Sequence, residues 1–152
     1  MTTSPGRRKP DAQTSLTRQA EDYLKAIYAI ELGGIPAGTN DIANRLGIAA
    51  PSVSGMLRRM SRLGLVSVER YKGARLTAAG RRAALALVRR HRIIETYLVE
   101  RLGFRGEAVH EEAERLEHAA SDALIARMAA ALGDPAHDPH GAPIPKAGRG
   151  NR

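Results

Sequence analysis

The chain has 152 residues, 43% hydrophobic and only 3% aromatic, with no Cys and a formal net charge of +8. That length holds one domain, or a small domain with a helical annex, and its core must be filled by aliphatic side chains and Ala. The lack of Cys excludes a disulfide framework and thiolate metal ligands, no apolar run approaches the ~18 residues of a membrane span, and the start MTTSPGRRKPDAQTS has no apolar stretch after its charges, so a cytoplasmic protein without a membrane partner is expected.

Residues 1–15 are polar and Pro/Gly-bearing, which predicts a disordered arm. From Leu16 to Leu32 the pattern is helical, with Leu24, Ile27, Tyr28 and Glu31 on one stripe and Gly33-Gly34 as the stop. Thr39 is an N-cap candidate for a short helix through Leu46, ended by Gly47. Pro51 suits the first turn of a third helix, SVSGMLRRMSRL, closing at Gly64. Its inward stripe is Val53, Leu57 and Met60, which turns Ser52, Ser54, Arg58, Arg59 and Arg62 outward. LVSVER-YKG-ARLT then reads as a hairpin. Thr77 caps a long helix to Leu102, broken by Gly103. Another helix is expected from Glu107 to Ala120, and a last one from Ser121-Asp122 to Leu132-Gly133. The tail DPAHDPHGAPIPKAGRGNR is read as irregular, with His137, Asp138 and His140 in solvent.

The fold class is therefore mainly α. A disordered arm (1–15) precedes a winged helix-turn-helix (16–77), a second, helical domain (78–133) and an irregular tail (134–152). No fixed-period repeat is present.

Charge follows the same division. Residues 39–92 hold 12 Lys/Arg and 2 Asp/Glu, or +10, whereas residues 93–132 hold 4 and 8, or −4. A basic block followed by an acidic one suggests polyanion binding and then cation binding or self-association. Helix, helix, turn, helix, hairpin is the order of a winged helix-turn-helix, whose third helix enters the major groove. The candidate DNA-contacting residues are Thr39, Pro51, Ser52, Ser54, Arg58, Arg59 and Arg62, with Arg70, Lys72 and Arg75 on the wing. Ser52 and Ser54 suit bases or phosphates, and the arginines suit phosphates. The plainer alternative is a winged helix used only for protein contacts.

In VHEEAERLEH, His110, Glu114, Glu117 and His118 fall within roughly 100° of arc on one helix face. The long helix adds His91 and Glu95 at i, i+4, and the first helix adds Asp22. If these helices pack together, two neighbouring metal sites form, one from His91, Glu95 and His110 and one from Asp22, Glu114, Glu117 and His118. Singly, each residue also reads as a solvated charge or a helix-dipole partner. An enzyme is not expected. His110-Glu111 begins like HExxH but has Glu114 where the second His belongs, and no Gly-rich phosphate loop, nucleophile elbow or Ser/Cys–His arrangement is present. No small organic substrate is implied.

These residues, in this order, resemble the diphtheria-toxin-repressor and manganese-transport-regulator family of metal-dependent repressors, over roughly residues 15–145. EDYLKAIYAIE is similar to the family's first helix, DIANRLGIAAPSVSGMLRRMSRLGLV to its helix-turn-helix, RLTAAGRRAALALVRRHRIIETYL to its linker helix, and VHEEAERLEHAASD to its metal and dimer helices. The resemblance implies a homodimer that binds an inverted-repeat double-stranded operator when loaded with Mn(II) or Fe(II) and silences metal-uptake genes. It matches His91, Glu95 and His110 to the ancillary site, and Asp22, Glu114, Glu117 and His118 to the regulatory one. Iron-responsive members tend to carry Met and Cys at the positions of Asp22 and Glu114. Two carboxylates there favour Mn(II), with Fe(II) as the alternative and Zn(II) or Co(II) able to fill the sites in vitro. Three departures stand out. Lys25 occupies the place of a Glu ligand in manganese members. His110 retains an ancillary ligand that some of them lack. The chain also ends near GAPIP, so a short form without the SH3-like domain is expected, with water replacing any ligands that domain donates. Ala49 and Gly55 replace polar residues of the iron-type reading helix, which implies a different operator. A metal-independent DNA-binding dimer is the remaining rival.

Overall fold

The computed structural model describes residues 16–148. The arm read for 1–15 lies outside them. Six helices and one two-stranded sheet follow the expected order: α1 (Arg18–Glu31), α2 (Thr39–Leu46), α3 (Ala50–Arg62), β1 (Val66–Glu69), β2 (Gly73–Leu76), α4 (Ala78–Leu102), α5 (Glu107–Glu117) and α6 (Asp122–Ala131). The fold is mainly helical, with an N-terminal winged helix-turn-helix and a helical C-terminal half.

Helix boundaries follow local chemistry. The Thr17, Thr77 and Ser121 hydroxyls cap α1, α4 and α6 by accepting backbone N–H bonds, and Gly47 and Gly103 end α2 and α4 in the left-handed conformation. Two expectations are corrected. Gly38, not Thr39, is the N-cap of α2, and no side chain caps that helix; Thr39 is its first residue. α5 stops at Glu117, three residues before Ala120, with His118 as its C-cap and a turn at His118 and Ala119.

β1 and β2 pair antiparallel, Val66 opposite Leu76 and Glu69 opposite Gly73. Ala37 and Ala74 exchange both backbone bonds at 2.8 Å, tying β2 to the loop before α2. Gly73 is required there: its φ is +102°, and a Cβ would lie 2.5 Å from the Ala37 carbonyl oxygen. Gly80 serves the first turn of α4, where a Cβ would meet the Leu65 carbonyl oxygen at 1.9 Å.

Two separate apolar cores result. The first joins Tyr23, Leu24 and Ile27 of α1 to Ile42, Val53, Leu57, Met60, Val66, Ala84 and Leu87. The second joins Ile93, Ile94 and Leu98 of α4 to Val109, Ala113, Ile125, Ala129 and Ile144. α4 therefore runs through both, and between Leu87 and Ile93 it carries Val88 and then the polar run Arg89, Arg90, His91 and Arg92. The segment after α6 forms no helix or strand among the described residues, but it is anchored. His137 bridges Pro143, Ile144 is buried in the second core, and Arg89 donates to the Pro145 carbonyl oxygen at 3.0 Å.

Candidate functional site

α1, α4 and α5 meet around one carboxylate. Glu117, the last residue of α5, is 0% exposed. The i, i+4 and i+8 positions of α5 carry Val109, Ala113 and Glu117, all buried, so the helix face that builds the core also buries this acid. A buried carboxylate needs partners, and Glu117 has two. His91 Nδ1 donates to its Oε2 and Lys25 Nζ donates to its Oε1 at 2.5 Å, while His118 Nε2 lies 3.4 Å from Oε1 without a hydrogen bond. Lys25 also donates to Glu114 Oε1 at 3.1 Å.

His118 shows the arrangement of a ligand. Its Nδ1 donates to Glu21 Oε2 at 2.7 Å, which fixes the tautomer and leaves Nε2 with a lone pair. That Nε2 is buried with no hydrogen-bond partner, 3.2 Å from Asp22 Oδ1. One ligand atom each from Asp22, Glu114, Glu117 and His118 lie within 4.8 Å of one another. An orphaned imidazole nitrogen facing three carboxylates fits a divalent cation, and the sulfur-free donor set suits a hard or borderline ion.

Next to it, Glu95 Oε1 lies 3.0 Å from His91 Nε2 and 3.3 Å from His110 Nδ1, and the two imidazole rings stand edge to face with centroids 5.0 Å apart. His91, His110 and Glu114 also place ligand atoms within 4.8 Å of one another. Glu114 therefore sits at the junction of both sets, whereas the sequence reading placed it in one. A cleft of about 830 Å³ opens onto Asp22, Lys25, His91, Glu95, His110 and Glu114.

Proton affinities follow these contacts. Burial pushes the His91 imidazole down, but hydrogen bonds to Glu117 and Glu95 outweigh it and raise the group to about 9. Burial pushes Glu117 and Glu95 up, and their bonds to His91, with Lys25 on Glu117 and His110 on Glu95, leave both below the usual value. Burial likewise opposes the Lys25 charge, and Glu117 and Glu114 hold its proton above the usual value. Asp22 is raised by burial, which the attraction of His118 only partly offsets.

All seven sequence-predicted metal ligands lie in this junction. Three further residues join it: Glu21 is not read from the sequence, Lys25 is read only as a departure from a Glu ligand, and Asp138 only as solvent-exposed. Glu21 orients His118, and it is signalled only by its place beside Asp22. Lys25 bonds two of the predicted ligands, one turn beyond Glu21 on the same edge of α1. Asp138, expected in solvent, has a side chain only 5% exposed and faces Glu95. His137 and His140 are exposed, as expected.

The other predicted site lies on α3 and the wing. Pro51, Ser52, Ser54, Arg58, Arg59 and Arg62 are exposed, as are Arg70, Lys72 and Arg75; Thr39 is half-buried. Val53, Met56, Leu57 and Met60 bury the opposite stripe of α3, so the helix presents its Ser/Arg face outward. Within this set, only Lys72 has a carboxylate beside it among the described residues, Glu69 at 3.5 Å. Arg70 stacks over Tyr71, which is 93% exposed at the wing tip with φ +65°.

Residues 15–74 match the family model described as iron dependent repressor, N-terminal DNA binding domain, and residues 77–146 match iron dependent repressor, metal binding and dimerisation domain. The diphtheria toxin repressor of Corynebacterium jeikeium is 39% identical over 130 residues, 86% of this chain and 54% of that protein. The iron-dependent repressor IdeR of Mycobacterium tuberculosis is also 39% identical over 130 residues, 86% and 56% of the two chains. A solved structure of a manganese-dependent transcriptional repressor in complex with manganese has a TM-score of 0.76 and 48% identity, covering 84% of this chain and 59% of that one. The chain thus spans little more than half the length of these relatives. With both domains matched in order over this fold, it belongs to the iron-dependent repressor family, the family of transcriptional repressors that includes the diphtheria toxin repressor.

Proposed function

We propose that this chain is a metal-dependent, DNA-binding transcriptional repressor. It acts in the cytoplasm as a homodimer on an inverted-repeat operator, responds to Mn(II) and controls metal-uptake genes. Residues 16–77 read DNA, residues 78–133 hold metal and dimerise, and residues 134–152 form the tail. The observation that carries this reading is the buried, unpartnered His118 Nε2 facing Asp22, Glu114 and Glu117. Asp22 belongs to the reading half and the other three to the helical half, so one coordination event spans both.

A bound divalent ion supplies positive charge that the three carboxylates share. The chain's own residues do the rest. Asp22 draws α1 toward α5, Glu21 keeps His118 turned into the site, and α1 passes the constraint to the α2–α3 unit through Tyr23, Leu24 and Ile27. Ser52 and Ser54 face the base edges, while Arg58, Arg59, Arg62, Arg70, Lys72 and Arg75 engage phosphates. Leu102, Leu116 and Leu124 are large apolar side chains exposed on the helical half and suit a second copy of the chain. Mn(II) is favoured over Fe(II) because Asp22 and Glu114 supply oxygen where a sulfur donor would shift preference to later metals.

One observation favours a second reading. Lys25 already ties α1 to α5 through Glu114 and Glu117, so it is a built-in cation for a metal-independent dimer. The test is fluorescence anisotropy of metal-free protein on its own promoter DNA, titrated with Mn(II), anaerobic Fe(II) and chelator. Tight binding only with Mn(II) is expected. An equal or better response to Fe(II) moves the protein to the iron branch, and binding indifferent to metal removes the sensor reading.

A further inference from the structure

Glu31 is the last residue of α1, and its side chain is only 7% exposed. It lies nine residues after Asp22, about 14 Å further along the helix, and takes no part in the metal junction. Its Oε1 accepts the backbone N–H of Leu76, the last residue of β2, at 3.1 Å. Its Oε2 accepts from Arg81 Nη2, on the first turn of α4, at 3.4 Å. The Arg81 guanidinium also stands over the Tyr28 ring, 5.9 Å from its centroid. One buried carboxylate therefore joins α1, the wing and α4.

The bond to Leu76 meets a specific need. β2 pairs with β1 along one edge, and its other edge offers N–H groups at Ala74 and Leu76. The Ala37 carbonyl oxygen takes the first and Glu31 takes the second, so the free edge of the strand is closed. The root of the wing is fixed separately to the end of α3. Thr77 N donates to the Leu65 carbonyl oxygen at 3.0 Å, and the Thr77 hydroxyl donates to that of Gly64 at 2.6 Å. Glu31 thus supplies a side-chain tie between the wing and the helix that carries Asp22.

We propose that Glu31 is a positioning residue, which couples the wing to metal occupancy through its bond to Leu76. The proposal rests on the metal-dependent reading. α1 is a continuous helix of 14 residues, so a constraint placed on Asp22 near one end is felt by Glu31 at the other. The edge of β2 follows α1, and with it go Arg70, Lys72 and Arg75, the wing residues that engage phosphates. A carboxylate that only closed a strand edge would support the wing equally with and without metal. One that couples makes the wing's order depend on the ion.

The test uses the full chain, Mn(II) and promoter DNA, read by fluorescence anisotropy, with circular dichroism to check folding. Glu31→Ala removes the acceptor. Glu31→Gln keeps an oxygen for Leu76 N and gives up the charge toward Arg81. In Glu31→Ala the ratio of Mn(II)-loaded to metal-free DNA affinity should fall about 2- to 30-fold, the range for residues that carry coupling between sites. Because coupling is reciprocal, the gain in Mn(II) affinity on adding DNA should fall by the same factor. Glu31→Gln should keep most of the ratio. In the unaltered chain, hydrogen–deuterium exchange of the peptide spanning β2 should slow when Mn(II) is added, and this measurement decides the matter if Glu31→Ala does not fold. A ratio unchanged in folded Glu31→Ala, even at lower absolute affinity, overturns the positioning role and leaves the proposed function standing. So does a Glu31→Gln variant as impaired as Glu31→Ala, or β2 exchange indifferent to Mn(II). An unaltered chain whose DNA affinity ignores Mn(II) overturns both.

Discussion

Lys25 offers the sharpest test of how the junction works. Its ammonium lies between Glu114 and Glu117, 3.1 and 2.5 Å away, and its side chain is 19% exposed against 0% for Glu117. Lys25→Met keeps the stem's packing and removes the charge. Removing one partner of a buried ion pair costs about 3–5 kcal/mol. Glu117 keeps His91, and Glu114 is 36% exposed and regains water, so a smaller loss of about 1–3 kcal/mol is expected. At roughly 2–4 °C per kcal/mol for a chain of this size, the metal-free protein should melt about 2–12 °C lower. Metal binding should change in the opposite direction. An entering divalent ion must take Glu114 and Glu117 from the ammonium and tolerate its repulsion. Without Lys25 the affinity for Mn(II) should therefore rise about 10- to 100-fold, at 1.4 kcal/mol per factor of ten. Thermal melts of chelator-treated protein and calorimetric Mn(II) titrations read the two effects separately. An unchanged metal-free melting temperature with unchanged affinity would mean that the ion pair does no energetic work. Weaker Mn(II) binding would mean that Lys25 props the ligands into place, and the competition argument would fail.

Four other outcomes are expected. Asp22→Ala should weaken Mn(II)-dependent DNA binding by at least tenfold with little change in melting temperature, because Asp22 is half-exposed and its main polar neighbour is His118; normal metal-dependent anisotropy in this variant would end its role as the link between α1 and α5. Glu21→Gln should reduce Mn(II) affinity about 10- to 100-fold while leaving one ion per regulatory site, since it loosens His118 without removing a ligand; the calorimetric titration checks this. His91 has a folded value of about 9 against an ordinary 6.5, so its protonation stabilises the metal-free fold fully below about pH 6.5 and loses that contribution as pH rises through 9, on the order of 3 kcal/mol in all, to be followed by melts from pH 6 to 10. The same proton must leave when His91 ligates a metal, so calorimetry in buffers of different ionisation heat at pH 7.5 should report proton release. Arg59→Ala should weaken DNA binding equally across operator and random sequences and lower the salt slope by about one, whereas a selective loss on the operator would make Arg59 a base reader.

Agreement is closest where local chemistry decides, although the cap of α2 falls on Gly38 rather than Thr39. Thr77 and Ser121 carry hydroxyl caps, Gly47 and Gly103 supply left-handed stops, and the apolar stripe of α3 sets its outward face; all of these are functions of residues within a turn of each other. His91 with Glu95, and His110 with Glu114 and Glu117, were legible for the same reason, because four-residue spacing places two ligands on one face. Contacts between α1 and α5 were not. Lys25 meets Glu114 and Glu117 across 89 and 92 residues, and Glu21 meets His118 across 97, distances at which no periodicity carries information. Lys25 could be seen as a departure from a Glu ligand, but not as the partner of two others. The tail's anchoring, and with it the burial of Asp138, is not legible for a different reason. Its Pro/Gly content correctly forbids regular elements, but order there depends on single anchors, Ile144 in an apolar pocket and Arg89 and Arg92 on carbonyl oxygens, and these leave no pattern.

On the proposed function, the position of the cluster gives charge at this junction a route to DNA binding. The two apolar cores share no buried residue. They are joined by α4, which contributes Ala84 and Leu87 to one and Ile93, Ile94 and Leu98 to the other, and His91 lies between those groups with Glu95 one turn on. Hydrophobic burial stabilises each core internally but does little to set how α1 sits against α5, because the residues facing each other there are Glu21, Asp22, Lys25, Glu114, Glu117 and His118. That contact is electrostatic, and its strength depends on which cation occupies it. With Lys25 and a protonated His91, the carboxylates are partly neutralised and the helices are already in contact, so a metal ion tightens an existing association rather than creating one. The coupling available to metal is thus the difference between two cations in one pocket. A difference of 1–3 kcal/mol, the usual size of an allosteric coupling, is about 5- to 150-fold in DNA affinity. A chain that keeps Lys25 gives up part of that range for a metal-free state that does not come apart, and Lys25→Met should widen the ratio of metal-loaded to metal-free DNA binding by weakening the metal-free side.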